Sequence, residues 1–156
     1  MNKPTNWQRW LIISAVVIAL DQITKQWVVH AFGYREVLSV MPYFNLTLAY
    51  NSGAAFSFLA GAGGWQRGFF AAIAVIASAV IIHLLRKHPQ QTLLCAALSL
   101  ILGGALGNLW DRLVIGQVVD FLDFYVNDYH WPAFNVADSA ITVGAVLLVW
   151  DGFKSK

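Results

Sequence analysis

Four long apolar stretches constrain the fold of this chain more than any other feature of its sequence. The hydrocarbon core of a bilayer is about 30 Å thick, and a helix needs about 20 apolar residues to cross it. The stretches approach that length at about residues 10–29, 68–85, 93–110 and 134–153. Only helices and closed barrels satisfy their backbone hydrogen bonds in lipid, and runs this long and apolar predict helices. We therefore predict an all-α integral membrane fold with four transmembrane helices.

The composition supports a chain solvated mainly by lipid. Charged residues make up 12% of the 156 residues, whereas soluble domains typically carry about 25%. The length predicts a single membrane domain over residues 1–156. The net charge of +2 and the absence of a basic run interleaved with aromatic residues argue against nucleic-acid binding. The lone cysteine, Cys95, has no partner for an internal disulfide, and we interpret it as a small buried apolar residue.

The basic residues near the span ends predict an orientation. Six of them fall on one side of a four-span topology: Lys3, Arg9, Arg86, Lys87, Lys154 and Lys156. The positive-inside rule assigns that side, with both termini, to the cytoplasm. The connections at about 31–66 and 112–133 then face outward. A cleaved signal peptide is the alternative for the first span, but Asp21, Gln22 and Lys25 would lie before its cleavage site, so we predict a retained helix.

Residues 43–51 in the first outward connection alternate between apolar and small or polar side chains. A period of two predicts a strand with one wet face and one packed face. Gly33, Pro42 and Gly53 punctuate its surroundings. We therefore predict a small outward-facing β-sheet within about 31–66.

Charged residues inside spans require an explanation, because a charge in mid-bilayer costs about 2.5–3.5 kcal/mol on insertion scales. Asp21 and Lys25 are four residues apart on the first span, and we predict that they pair, with Lys25 reaching outward. Gly103 and Gly107 form a G-x-x-x-G pattern on the third span, which predicts close packing against another helix.

The polar residues at the outer ends of spans three and four have more than one interpretation. Asn108, Asp111 and Arg112 share one helical face. Asp111 and Arg112 could pair with each other or with lipid headgroups, and Asn108 could form a structural hydrogen bond or contact a substrate. Asn135 is a good N-cap, and Asp138 would then occupy the third helical position, where a carboxylate is favoured by the helix dipole.

One arrangement accounts for several of these residues together. Taken alone, Asp120 in an outward connection is interpreted as a solvated charge, although its neighbours are apolar. Asp120, Asp138, Asn108, Arg112 and Asn51 all fall at the same depth, so a single polar pocket would satisfy them all. Two carboxylates held close share one proton over some pH range. One can activate water while the other polarises a carbonyl group, which is the chemistry of metal-free peptide hydrolysis.

The motifs, taken together, closely resemble those of the bacterial lipoprotein signal peptidases, also called signal peptidase II. The resemblance covers essentially the whole chain from Asp21 onward. Its motifs, in order, are Asp21-Gln-Ile-Thr-Lys25, Asn51-Ser-Gly-Ala-Ala-Phe56, Gly107-Asn-Leu-Trp-Asp-Arg112, Val118-Val-Asp-Phe121 and Phe134-Asn-Val-Ala-Asp-Ser139. It implies an intramembrane aspartyl endopeptidase that removes the signal peptide from prolipoproteins, cutting before the diacylglyceryl-modified cysteine.

The resemblance also implies roles for individual residues. Asp120 and Asp138 would be the catalytic pair. Asn51, Asn108, Arg112 and Asn135 would bind the substrate or stabilise that pair. Asp21, Lys25 and Asp111 would be structural polar residues. We interpret Asp123 and Asp128 as solvated loop charges, and we expect neither a metal nor another cofactor.

The predicted setting is the bacterial cytoplasmic (inner) membrane, with the active site near the outer face. The expected partners are diacylglyceryl-prolipoprotein substrates and membrane lipids, and the chain is expected to act as a monomer. An ion-coupled transporter is one alternative, but it predicts repeated halves and broken mid-bilayer helices. A metal-dependent lipid phosphotransferase is another, but the further acids that such a site requires are missing.

Overall fold

The computed structural model describes residues 6–53 and 64–154. Lys3, Lys156 and residues 54–56 of the second motif, which entered the predictions above, lie outside the described residues. The elements, in chain order, are a short 3₁₀ helix Trp7–Trp10, α1 Leu11–Ala31, β1 Val37–Met41, β2 Phe44–Asn51, α2 Trp65–Lys87, α3 Thr92–Val114, β3 Val118–Val126, β4 Tyr129–His130 and α4 Val136–Lys154. Four helices and a small sheet confirm the predicted fold class.

The helices of the described chain include four that are long and apolar enough to cross a membrane. Helix α3 is central, since it packs against α1, α2 and α4, and it is the most buried of the four. The outward surfaces of the other three carry large apolar side chains, as expected where lipid replaces water as the solvent. The chain is therefore a multi-pass membrane protein.

Glycines on α3 bring α1 close to it. A Cβ atom at Gly103 would lie 2.7 Å from the Cβ atom of Val17, and one at Gly107 would lie 2.7 Å from Oδ2 of Asp21. Real Cβ atoms do not approach other atoms this closely, so only glycine permits this helix spacing. The packing role predicted for the G-x-x-x-G pattern is confirmed.

The sheet has the order β1-β2-β3-β4, and every pairing in it is antiparallel. The strand predicted from residues 43–51 is confirmed as β2. Confining the sheet to residues 31–66 was wrong, because β3 and β4 come from the second connection. The register pairs Ala49 with Asp120 and Asn45 with Asp123.

The sheet lies against one end of the helical bundle, which we call the sheet end. Helices α1 and α3 end there, and α2 and α4 begin there. Val28 of α1 packs with Leu48 of β2 and with Val119 and Phe121 of β3 in a buried apolar cluster. This cluster fixes β3 against the bundle and so fixes the position of Asp120.

Candidate active site

Asn135 determines where helix α4 begins and where Asp138 lies. Its side-chain Oδ1 accepts a hydrogen bond from the backbone N–H of Asp138, at 2.9 Å. This is the N-cap geometry, in which a side chain satisfies one of the unpaired donors of the first turn. The capping role predicted for Asn135 is confirmed, and Asp138 is the third residue of the helix.

The same asparagine also holds the second acid. Its Nδ2 donates to Oδ1 of Asp120 at 2.8 Å and lies 3.2 Å from the carbonyl oxygen of Val119. Asp120 is only 2% exposed. One buried side chain therefore contacts Asp120 directly and positions the backbone of Asp138.

Two further asparagines contact the carboxylates. Asn108 of α3 donates from Nδ2 to Oδ1 of Asp138 at 2.7 Å, and its own Oδ1 lies 3.2 Å from Nδ2 of Asn135. Asn51, at the end of β2, donates to Oδ2 of Asp120 at 3.1 Å. The structure thus brings Asn51, Asn108, Asn135, Asp120 and Asp138 together at the sheet end.

The surroundings of Asp120 favour its protonated form. Burial raises the pKa of its carboxyl group, and the nearby Asp138 carboxylate raises it further. Hydrogen bonds from Asn51 and Asn135 and the charge of Lys25 oppose this rise. Burial and like charge prevail, and the pKa of Asp120 reaches about 7. A proton can therefore reside on this group near neutral pH.

Arg112 completes the group at the sheet end of α3. Its guanidinium lies over the ring of Phe70 at 5.3 Å, and its Nη1 donates to the carbonyl oxygen of Asn108 at 3.2 Å. Its charge acts on both Asp120 and Asp138. Its Nε is buried and has no hydrogen-bond partner among the described residues.

A buried charge cluster lies behind Asn108. Lys25 Nζ is 2.7 Å from Asp21 Oδ2 and 2.8 Å from Asp111 Oδ2, so the predicted pairing of Asp21 with Lys25 is present. The prediction that Lys25 reaches outward was wrong, because its side chain is 1% exposed and α3 supplies a second acid. Asp111 also forms an ion pair with Lys25. Its predicted partners were Arg112 or a lipid headgroup, and both predictions were wrong.

Gln22 is a member of this cluster that the sequence did not single out. Its Nε2 donates to Oδ1 of Asp111 at 2.9 Å and lies 3.2 Å from Oδ2 of Asp21. The available signal was a polar side chain inside a span, one residue after an acid. The sequence alone does not show that the face of α1 carrying Gln22 packs against α3.

Asp123 was wrongly interpreted as a solvated loop charge. It lies in β3, is 6% exposed, and accepts a hydrogen bond from Asn45 Nδ2 at 3.0 Å. The ring of His130 lies 2.8 Å from its Oδ1. Asp128 is exposed in the turn between β3 and β4, as expected.

The described residues contain no group of three or more His, Cys, Asp or Glu side chains placed to hold a metal ion. The described groups offer two carboxylates as proton donors or acceptors, supported by neutral amides and one guanidinium. Such a pair can activate water and polarise a carbonyl group.

Comparison with known proteins agrees with this architecture. A family model described as signal peptidase (SPase) II matches residues 13–154. The lipoprotein signal peptidase of Cupriavidus necator is 59% identical over 145 residues, which cover 93% of this chain and 83% of the relative. That of Burkholderia thailandensis is also 59% identical, with 93% of this chain and 87% of the relative covered.

Two solved structures of bacterial membrane enzymes share the fold. Each superposes with a TM-score of 0.83 at 33% identity. One match covers 94% of this chain and 88% of the solved chain, and the other covers 95% and 94%. A family match across nearly the whole chain and relatives at this identity place it among membrane peptidases: the chain belongs to the signal peptidase II family.

Proposed function

We propose that this chain is an intramembrane aspartyl endopeptidase that removes signal peptides from prolipoproteins, with Asp120 and Asp138 as its catalytic pair. Membership of the signal peptidase II family supports the reaction, and the relatives named lipoprotein signal peptidase support the substrate class. Cleavage before the diacylglyceryl-modified cysteine follows from the resemblance of the motifs.

One observation carries the catalytic assignment: Asn135 bonds the carboxylate of Asp120 and the backbone of Asp138. Sharing this residue keeps the two acids in one site. The pKa of Asp120, raised to about 7 by burial and by Asp138, lets the pair hold a single proton near neutral pH. A pair with one proton supplies an acid and a base together.

In the proposed mechanism, the proton resides on Asp120 and the partly buried Asp138 is the base. The Asp138 carboxylate takes a proton from water as the water oxygen attacks the scissile carbonyl carbon. Asp120 donates its proton toward the carbonyl oxygen, giving a neutral tetrahedral intermediate. The C–N bond then breaks, the leaving nitrogen takes the proton held by Asp138, and one hydroxyl of the intermediate returns its proton to Asp120, which restores the starting protonation of the pair. The products are a signal peptide with a new carboxyl group and a lipoprotein with a new amine.

Arg112 is suited to hold the substrate backbone. Its Nε is a buried donor without a partner among the described residues, and an unpaired buried donor is costly. A substrate carbonyl group would satisfy it. Asn51, Asn108 and Asn135 hold the acids in place by donating hydrogen bonds to them. The acyl chains of the substrate remain in the bilayer and help to position the scissile bond.

The setting follows from the direction of the helices. Arg9, Arg86, Lys87 and Lys154 lie at the end of the bundle opposite the sheet, which supports placing that end and both termini in the cytoplasm. The sheet end, with the catalytic pair, would then lie near the outer face of the bacterial cytoplasmic membrane. Action as a monomer is part of this proposal.

A cleavage assay with a purified diacylglyceryl-prolipoprotein tests the proposal. The full chain in detergent should cleave before the modified cysteine, while Asp120→Asn and Asp138→Asn, folded to the same thermal midpoint or higher, should be inactive. Asp128→Asn is the matched control, because it removes an exposed carboxylate and should retain full activity. Full activity in either catalytic variant would refute the dyad, and loss of wild-type cleavage on chelation would refute a metal-free mechanism.

A further inference from the structure

The ammonium group of Lys25 contacts more than its two acidic partners. Its Nζ lies 2.7 Å from Asp21 Oδ2 and 2.8 Å from Asp111 Oδ2, and it donates to Oδ1 of Asn108 at 2.9 Å. A lysine ammonium has three N–H donors and no acceptor. All three donors are therefore matched to these three oxygens, and the side chain is 1% exposed.

The third contact gives the Asn108 amide oxygen a charged donor, beside the neutral Nδ2 of Asn135 at 3.2 Å. An asparagine can present its oxygen or its NH₂ group in either direction, and its surroundings decide which. A lysine only donates, so the oxygen of Asn108 must face Lys25. The NH₂ group must then face the other way, where it donates to Asp138 Oδ1 at 2.7 Å. A rotated amide would place NH₂ against the ammonium and a carbonyl oxygen against a carboxylate.

We propose that Lys25 is a positioning residue for the catalytic pair and acts on Asp138 through the Asn108 amide. This inference rests on the proposed function. It assigns to Lys25 a role beyond neutralising Asp21 and Asp111: without the lysine, the Asn108 amide has no charged donor to orient it. Asp138 then loses a hydrogen bond of defined direction. The base is misaligned with the attacking water, and the turnover number falls more than substrate binding does.

The alternative is that Lys25 serves only as a counter-ion, and charge-balanced variants separate the two roles. Two carboxylates and one ammonium give the cluster a formal charge of −1. Lys25→Met alone would leave −2 buried in the bundle, and such a chain would be expected to fold poorly. Combining it with Asp21→Asn restores −1. The asparagine oxygen can still accept the backbone N–H of Ala137, which now lies 2.9 Å from Asp21 Oδ1.

The experiment compares four full-length chains in detergent, all carrying Asp21→Asn: this variant alone, with Lys25→Met, with Asn108→Ala, and with both. Thermal midpoint, kcat and KM for prolipoprotein cleavage are measured for each. The Asp21→Asn/Lys25→Met chain keeps the formal charge of −1 of the wild-type cluster, whereas Asp21→Asn alone carries 0, so wild type is measured alongside as the charge-matched reference. The thermal midpoint of the double variant should lie within a few degrees of wild type. Its kcat should fall about 100-fold while its KM changes less than threefold. In the Asn108→Ala background, removing Lys25 should lower kcat far less than in the Asn108 background, because only the direct effect of its charge on Asp120 remains.

Two outcomes overturn the proposal. Equal kcat with and without Lys25 would leave it a counter-ion only, and additive losses at Lys25 and Asn108 would mean that the lysine acts by another route. Inactive wild-type protein, or full activity of Asp120→Asn, would instead refute the proposed function itself. If the charge-balanced chain does not fold, solid-state NMR of isotope-labelled wild-type protein tests the orientation of the Asn108 amide directly. A dipolar contact of Lys25 ¹⁵Nζ with Asn108 ¹³Cγ, and of Asn108 ¹⁵Nδ2 with Asp138 ¹³Cγ, is required, and absence of either refutes the orientation.

Discussion

The side chain of Asn135 caps helix α4 through the backbone N–H of Asp138, with Oδ1 2.9 Å from the nitrogen. The opposite end of the same amide donates to Asp120 at 2.8 Å. Helix initiation and assembly of the site therefore depend on one residue, and the two roles can be separated by substitution.

Asn135→Ser should separate these roles. Serine is as good an N-cap as asparagine, so the contribution of the cap to stability should be retained. Loss of the buried Nδ2 contacts should cost about 1–3 kcal/mol. The shorter serine side chain cannot also reach Asp120, so kcat should fall strongly. Asn135→Ala should lose the cap as well, at a cost of about 1 kcal/mol. Thermal unfolding and cleavage rates in detergent measure both effects, and a fully active Asn135→Ser enzyme would contradict the role assigned to the amide.

The pH profile of cleavage should be bell-shaped, with activity falling as the pH rises through about 7. Burial and the charge of Asp138 hold the pKa of Asp120 at about 7, so above this pH the pair loses its shared proton. The measurement is kcat against pH at saturating substrate, with thermal midpoints confirming that the chain stays folded. A rate that stays constant from pH 6 to pH 9 would argue against protonated Asp120 as the acid.

The stability of the folded chain should show the same titration. The pKa of Asp120 is raised from an ordinary 3.8 to about 7, so the folded state binds a proton more tightly than the unfolded state. This contribution is fully present below the unfolded pKa and is lost as the pH rises through the folded pKa. The thermal midpoint of Asp120→Asn relative to wild type should therefore be higher at pH 8 than at pH 5. The new NH₂ group meets the donor of Asn51 or Asn135, which lowers the midpoint equally at both pH values. A relative midpoint that rises toward acid pH would reverse the assignment.

Gly107→Ala should destabilise the chain and reduce activity. The added Cβ would meet Asp21 Oδ2 at 2.7 Å and push this carboxylate away from Lys25. Overpacking of this kind costs about 1–3 kcal/mol. Gly68→Ala on α2 is the matched control, because a Cβ there meets no described atom within 4 Å. The thermal midpoints of the two variants measure this destabilisation. Equal midpoints would refute the close contact between α1 and α3.

Asp123→Asn should destabilise the sheet. The carboxylate accepts from Asn45 at 3.0 Å and contacts His130 at 2.8 Å, and an amide would place an NH₂ group against one of these donors. A buried group left without its partner costs about 1–3 kcal/mol. The exposed Asp128→Asn variant should unfold like wild type. Matching thermal midpoints for the two variants would restore the solvated interpretation of Asp123.

The pattern of apolar and polar residues along the chain predicted those helices and strands that have one face in contact with water or lipid. Residues 44–51 alternate, and Asn135 precedes an apolar run with a cap-forming side chain. Strand β3 escaped prediction for a physical reason: Val118, Val119, Asp120 and Phe121 are all buried, so both faces of the strand are covered and no alternation results. The setting of the neighbouring Asp123 was missed with it.

The sequence also predicted that the acids and amides share one depth, but not which groups touch. Spacing paired Asp21 with Lys25, because residues four apart on a helix are neighbours. The contacts of Lys25 with Asp111 and Asn108 join two helices, and no spacing within one helix contains that information. The prediction that the Lys25 side chain reaches outward was wrong for this reason.

Among residues 6–53 and 64–154, the side chains that donate hydrogen bonds to the two carboxylates are all amides: Asn51, Asn108 and Asn135. Amides neither gain nor lose protons at any pH where the chain is folded. The direct supports of the acids thus keep the same charge while the acids themselves change theirs. In the proposed mechanism, a proton released during turnover can pass between carboxylate, water and substrate without being captured by these supports.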